Sequence, residues 1–141
     1  MRRNAAVLPG LALTLAAAVC CASAGNPPGS GLTLHNAVDI VVDEVVGSDS
    51  LDRTLLALGH PLDPGDSLFP QMMDGAGGYR VDRRSWLLFL DDMSSYRWAH
   101  RCRWLLVDTA TGDVRVIRES WWPERRDMMD TVRVWTRPAG G

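Results

Sequence analysis

The apolar residues between positions 37 and 46 recur with the spacing of an amphipathic helix, and the acidic residues of the same segment fall on the opposite face. A period near 3.6 residues is typical of a helix that packs one face on a core. Asn36 precedes the pattern as a candidate N-cap, and Gly47 follows it as a stop. The sequence therefore predicts a helix over residues 37–46.

A second segment with helical spacing carries three leucines on one stripe, namely Leu51, Leu55 and Leu58. This segment follows Ser48 or Ser50 and ends at Gly59, so it predicts a second short helix. Proline and glycine residues interrupt any regular pattern beyond it, and Pro64-Gly65 suits the centre of a type II turn.

Strand patterns dominate from residue 86 onward. The continuous apolar run 86–90 is typical of a central strand that is buried on both faces. Alternation over residues 98–107 predicts a long strand, with one face formed by Trp98, His100, Cys102, Trp104 and Leu106. A turn at 108–113 leads into a returning strand at 114–117, and a last strand is expected over 131–135. The predicted fold class is α+β, with one or two N-terminal helices packed on an antiparallel β-meander of three to five strands.

The N-terminus has the three parts of a secretory signal peptide. Arg2 and Arg3 precede an apolar run that ends at Cys21, and Ala22-Ser23-Ala24 forms a small-residue cleavage site. The run is shorter than the roughly 20 residues that span a bilayer. We therefore expect a secreted or periplasmic protein with no membrane span after cleavage; a lipid anchor at Cys20 or Cys21 is the alternative.

Cleavage after Ala24 divides the chain into four parts: a signal peptide over residues 1–24, a flexible lead-in over 25–34, a single α+β domain over 35–137 and a tail over 138–141. The whole chain has 15 basic and 17 acidic residues, and loss of Arg2 and Arg3 makes the remainder more negative. An anionic domain without a basic stripe predicts no nucleic-acid partner. No motif in the sequence indicates a cofactor.

Cys102 is the only cysteine outside the predicted signal peptide, so an intramolecular disulfide is not expected there. Residues two apart on a strand share a face, which allows a hypothesis of a cysteine hydrolase with Cys102 as nucleophile, His100 as base and Asp91 or Asp92 orienting the imidazole. The competing interpretation places Cys102 in the core as a small apolar residue and Asp91-Asp92 in a solvated loop. These residues supply at most three metal ligands where a closed zinc site needs four, so no metal site is predicted.

Two further groups are candidate binding residues. Adjacent residues of a regular strand point to opposite faces, so Trp121 and Trp122 predict one exposed ring that anchors a protein or a carbohydrate, unless the chain bends and both rings cover the sheet edge. Arg101 and Arg103, with Arg115 beside them across the hairpin, predict a cationic strip opposite Cys102. The alternative for the strip is a solvated face paired with acidic neighbours.

The segment Val107-Asp108-Thr109-Ala110-Thr111-Gly112-Asp113-Val114, with a helix upstream of it, resembles the ending of PepSY-type and related peptidase-propeptide domains. In those domains a strand ends in Asp, a Thr-Gly turn follows and a second strand returns. The resemblance implies a non-catalytic module that binds or restrains an exported peptidase, and it transfers no active-site residue. The expected function is an exported binding module with an extracytoplasmic peptidase or another envelope protein as partner. The alternatives are the cysteine hydrolase and a structural envelope protein.

Overall fold

The computed structural model describes residues 31–47, 52–71 and 77–136. The predicted signal peptide, the first part of the lead-in and the predicted tail lie outside the described residues. In the described part, the N-terminal segment is held against the domain from its start: the Leu32 amide donates to the Thr109 carbonyl at 2.6 Å, and the Trp86 indole donates to the Leu32 carbonyl at 2.6 Å.

The described elements comprise one helix, one 3-10 turn and seven strands. Helix α1 spans Leu34–Val41 and continues as a π-helical turn over Val42–Val46. The strands are β1 (Arg53–Leu58), β2 (Ser67–Leu68), β3 (Tyr79–Arg80), β4 (Ser85–Asp91), β5 (Cys102–Asp108), β6 (Val114–Glu119) and β7 (Met129–Trp135), with the 3-10 turn over Glu124–Met128.

Five of the strands form one antiparallel sheet in the order β6-β5-β4-β1-β7, which confirms the predicted α+β class. Only β4, β5 and β6 follow one another as a meander. Strand β7 crosses the domain to pair with β1, and β2 and β3 form a separate two-stranded hairpin between β1 and β4. The three interior strands of the sheet, β5, β4 and β1, have a paired neighbour on each side, and β6 and β7 are its edges.

The predicted first helix is confirmed, but its cap is not. The helix begins at Leu34, and the Thr33 hydroxyl rather than Asn36 is the cap; it accepts the Asn36 amide at 3.3 Å. The helix buries Ala37, Val38 and Val41 in the core that it shares with the sheet. Gly47 ends the π-helical turn with a φ of 68°, a left-handed conformation that favours glycine.

The predicted second helix is wrong, because Arg53–Leu58 is strand β1, an interior strand of the sheet between β4 and β7. Leu55 belongs to the core on one face of the sheet and Leu58 to the core on the other. Because both faces of β1 are buried, its leucines face opposite sides of the sheet. The three-residue spacing of Leu55 and Leu58 is also the spacing of residues on one face of a helix. Leu51 lies outside the described residues.

The sheet is covered on both faces. On what we call the helix side, α1 packs over a cluster that contains Leu55, Leu88 and Leu105. On the other, the hairpin side, the segment between β1 and β4 covers a cluster built on Phe89 and Trp104. The predicted turn at Pro64-Gly65 lies in this covering segment: Gly65 has a φ of 100°, and the Asp66 amide donates to the Asp63 carbonyl at 3.1 Å.

The predicted strands at residues 86–90, 114–117 and 131–135 are all present. Strand β5 begins at Cys102, four residues later than predicted, and Trp98 is not on it. The β5–β6 turn is ordered by Asp108, whose carboxylate accepts the amides of Ala110 at 2.7 Å and Thr111 at 3.3 Å. The Ala110 hydrogen bond is the main reason why the pKa of Asp108 lies below its usual value.

No helix in residues 31–47, 52–71 and 77–136 has the length and apolar character needed to cross a bilayer.

Candidate functional site

All the predicted site residues except Arg115 lie at one end of the sheet, which we call the site end. Here β1 and β5 begin and β4 and β6 end. Strand register places Asp91 opposite Thr54 on one side and opposite Cys102 on the other, and Cys102 lies opposite Glu119. The antiparallel order thus gathers residues that are far apart in the sequence, including the chain at Arg53 and the tryptophans after β6.

Cys102 is buried on the hairpin side, as the core interpretation predicted. Its thiol donates to the carbonyl of Trp121 at 3.2 Å and lies 3.4 Å from that of Glu119. Burial raises the pKa of the thiol from 9.0 to about 12, and the Asp91 carboxylate adds to the increase. The thiolate is the nucleophilic form of cysteine, so this environment favours the unreactive form.

The predicted pairing of His100 with Asp91 is present. The imidazole Nε2 lies 2.6 Å from the Asp91 carboxylate, and Nδ1 lies 2.5 Å from the Trp98 carbonyl. A carbonyl only accepts hydrogen bonds, so Nδ1 is the donor to Trp98, and Nε2 lies within hydrogen-bond distance of the Asp91 carboxylate. Both ring nitrogens are therefore engaged. The pair fixes the backbone that leads into β5, and in this arrangement it leaves no nitrogen to accept the Cys102 proton.

Native Cys102 is expected to resist modification by a thiol reagent at neutral pH and to react promptly once urea unfolds the chain. The folded state prefers the neutral thiol, so this contribution to stability is complete below pH 9 and is lost as the pH rises toward 12. The rate at which a colourimetric disulfide reagent labels Cys102, with and without urea, measures this difference in reactivity. Rapid labelling of the folded protein, verified by circular dichroism during the reaction, would contradict the burial argument and support the hydrolase.

Trp121 and Trp122 are both partly buried, so the chain bends there instead of exposing one complete ring. The Trp121 carbonyl also accepts the Trp104 indole N–H at 3.0 Å. Trp122 packs against the hairpin-side core, and the guanidinium of Arg126 lies 4.1 Å from its ring centre in a cation–π contact. The Trp122 ring therefore covers the hairpin-side core at this end of the sheet, and Trp121 is held there through its backbone carbonyl.

The exposed aromatic group is instead Trp98, which the sequence pattern placed in the core. Its side chain is 83% exposed, because Trp98 lies outside the sheet, in the loop between the end of β4 at Asp91 and the start of β5 at Cys102. Trp98 and the Trp121-Trp122 pair line one cleft of about 180 Å³, whose other lining residues are Arg97, Ala99 and Ser120. Tyr96, 56% exposed, belongs to the same loop. The alternation of residues 98–107 gives no indication that the strand begins only at Cys102.

The two predicted binding arginines point to the helix side, but Arg115 is not beside them. Register places Arg103 opposite Arg118, whereas Arg115 lies opposite Leu106, whose side chain faces the hairpin side. Arg115 pairs instead with Asp82 at 3.3 Å. Arg118 therefore completes the strip. The alternation of side chains along β6 could have identified it, because Arg115 and Arg118 face opposite sides of the sheet.

The prediction of a solvated Asp91-Asp92 loop is wrong, since both carboxylates are buried. Asp92 is 3% exposed and binds Arg103 through two hydrogen bonds, at 2.6 and 2.8 Å, with Arg53 at 3.3 Å on the same carboxylate. The two guanidiniums also donate to the last carbonyls of the π-helical turn, Arg103 to Val45 at 2.9 Å and Arg53 to Val46 at 2.6 Å. This buried ionic cluster joins the C-terminal end of the helix to the site end of the sheet.

Within the described ranges, no group of three or more His, Cys, Asp or Glu side chains is arranged to hold a metal ion.

Searches of protein-family models, curated proteins and solved structures find no match to this chain.

Proposed function

We propose that this chain is an exported, non-catalytic binding module that contacts its partner through the cleft beside Trp98. The observation that carries the proposal is the 83% exposure of Trp98 at the rim of a largely apolar cleft that it shares with Trp121 and Trp122. Tryptophan is enriched among the residues that dominate binding energy at protein interfaces. An exposed aromatic group with a cavity at its base is the kind of surface such an interface uses.

The loop that carries Trp98 is held in place before any partner binds. The Trp98 carbonyl accepts the His100 ring N–H, the His100 amide donates to the Ser120 carbonyl at 3.2 Å, and the imidazole is tied to Asp91. A side chain presented on a fixed backbone loses less conformational entropy on binding. The Asp91–His100 pair thus supports the binding surface through the loop geometry.

The partner we propose is an exported peptidase, which the module would bind or restrain. Three features support this choice: the signal-peptide pattern before Ala24, the Asp108-to-Gly112 hairpin that resembles peptidase-propeptide domains, and the neutral buried thiol that leaves Cys102 without nucleophilic character. A propeptide-like module acts by occupying a surface, which requires an exposed anchor and no catalytic group.

The test compares W98A with the matched control V134A, because Val134 is also an exposed apolar residue, 57% accessible, but lies on β7. The chain without its signal peptide captures its partner from the exported fraction, and the dissociation constant of the purified pair is then measured for each variant. We expect W98A to bind roughly 30-fold more weakly, as truncation of a tryptophan hot spot costs about 2 kcal/mol. V134A should bind within about twofold of the wild type.

Equal affinities for W98A and V134A would overturn the assignment of the cleft. Capture of a protein without peptidase activity, with W98A still impaired, would keep the binding surface and overturn the choice of partner. Unfolding curves of both variants in urea verify that the substitutions act on binding and leave folding unchanged.

A further inference from the structure

A second pocket at the site end lies on the helix side, away from the Trp98 cleft. It has a volume of about 240 Å³, and its lining among the described residues consists of charged side chains only: Arg53, Asp92, Arg101, Arg103 and Arg118. Four guanidiniums against one carboxylate give this arginine pocket a net charge of +3. The sign is opposite to that of the chain as a whole, whose formal net charge is −2.

The one carboxylate in the arginine pocket is already engaged. Both Asp92 oxygens accept hydrogen bonds from Arg103, and Arg53 lies 3.3 Å from one of them. Arg101 and Arg118, in contrast, form no hydrogen bond or ion pair with any residue of the described ranges. Their donors face a pocket whose only anion is shielded by two other arginines.

Strand register adds a cost to this concentration of charge. Arg103 of β5 and Arg118 of β6 are direct cross-strand partners. Like charges directly opposite each other destabilise a sheet. An anion that binds between the guanidiniums would replace this repulsion with charge-assisted hydrogen bonds, which are among the strongest in proteins.

We propose that the arginine pocket binds a divalent tetrahedral oxyanion, either a free phosphate ion or the phosphate group of a larger molecule. The pocket is lined by Arg53 of β1, Arg101 just before β5, Arg103 of β5 and Arg118 of β6, so positive charge reaches it from different parts of the chain. A tetrahedral anion offers acceptor oxygens in all those directions, whereas a carboxylate offers one edge. A net charge of +3 also favours a divalent anion over a monovalent one. This site is independent of the proposed partner and of the Trp98 cleft.

The test is a calorimetric titration of the chain with inorganic phosphate, in sodium chloride of matched ionic strength at about pH 8, where phosphate is mostly divalent. The variants are R101Q and R118Q, both at exposed arginines. The matched control is R133Q, an exposed arginine of β7 outside the pocket. We expect saturable binding by the wild type and by R133Q, and about tenfold weaker binding by each pocket variant.

A second readout separates a ligand site from a structural role. Without phosphate, R118Q should be at least as resistant to urea as the wild type, because it removes the repulsion with Arg103. Added phosphate should raise the urea midpoint of the wild type and leave that of R118Q almost unchanged.

A titration with phenyl phosphate identifies the source of the anion. Tighter binding of the ester than of inorganic phosphate indicates a phosphate group on a larger molecule, and the reverse indicates the free ion. Absence of saturable binding of either probe, equal weakening by R133Q, or a large loss of stability in R118Q without phosphate would each overturn the proposal.

Discussion

Asp92→Asn is expected to reduce the free energy of unfolding by about 3–5 kcal/mol, measured by urea denaturation in chloride. The substitution keeps the shape of the side chain but removes the negative charge that Arg53 and Arg103 share. Arg53 is 4% exposed and its guanidinium lies 3.3 Å from the Asp92 carboxylate, so in the variant this buried positive charge faces a neutral amide. That loss is a large part of the 5–15 kcal/mol by which a domain of this size is stable.

The matched control for this prediction is Asp130→Asn, at an exposed position of β7, which should change stability by less than about 0.5 kcal/mol. The double variant with Arg103→Met should recover part of the loss, because a buried ion pair can be replaced by apolar groups at small cost. An Asp92→Asn protein as stable as the control would show that the cluster is solvated in solution.

The strands that the sequence predicts correctly are those whose local pattern agrees with their place in the sheet. The run at 86–90 is apolar throughout because β4 has neighbours on both edges and cover on both faces. The segment at 114–117 belongs to the edge strand β6, where exposed and buried positions differ. In both cases the residue types within a few positions are those that strands favour, so the local sequence contains the information.

Strand β1 fails the same test because two requirements overlap in six residues. Leu55 serves the helix side and Leu58 the hairpin side, and the interval of three between them is also a helical interval. The pairing that selects the strand comes from β4 and from β7, which begins more than 70 residues later in the chain. No local propensity describes that pairing, so the helix was the better fit to the sequence alone.

The candidate site was predictable as a set of residue types and unpredictable as an arrangement. Cys102 in the core and the Asp91–His100 pair follow from alternation on β5 and from an adjacent hairpin arm. The exposure of Trp98 and the burial of Asp92 do not follow from the sequence, because both depend on where β4 ends and β5 begins. Asp92 is buried only because Arg53 and the end of the helix meet it there. Both surfaces proposed for binding depend on these unpredicted departures.

Trp104→Ala is expected to cost about 3–5 kcal/mol of unfolding free energy, which makes it the largest single truncation available on the hairpin side. Trp104 is fully buried on the interior strand β5, and its ring meets Tyr79 edge to face with centres 5.7 Å apart. Its indole N–H also holds the Trp121 carbonyl, so truncation removes a hydrogen bond as well as the packing.

The same substitution at Trp98 provides the control, since that ring is mostly in solvent and its loss should change the urea midpoint very little.

Trp104→Phe separates the two contributions: it keeps most of the volume and loses the N–H, so its cost should fall between those of the wild type and Trp104→Ala. Because the Trp121 carbonyl closes the end of the sheet on which the cleft is built, Trp104→Phe should also loosen the Trp121-Trp122 bend. Amide hydrogen exchange at those residues should then increase while exchange in β4 stays slow. Equal losses for Trp104→Ala and Trp98→Ala would mean that the hairpin-side core does not close over the sheet as described.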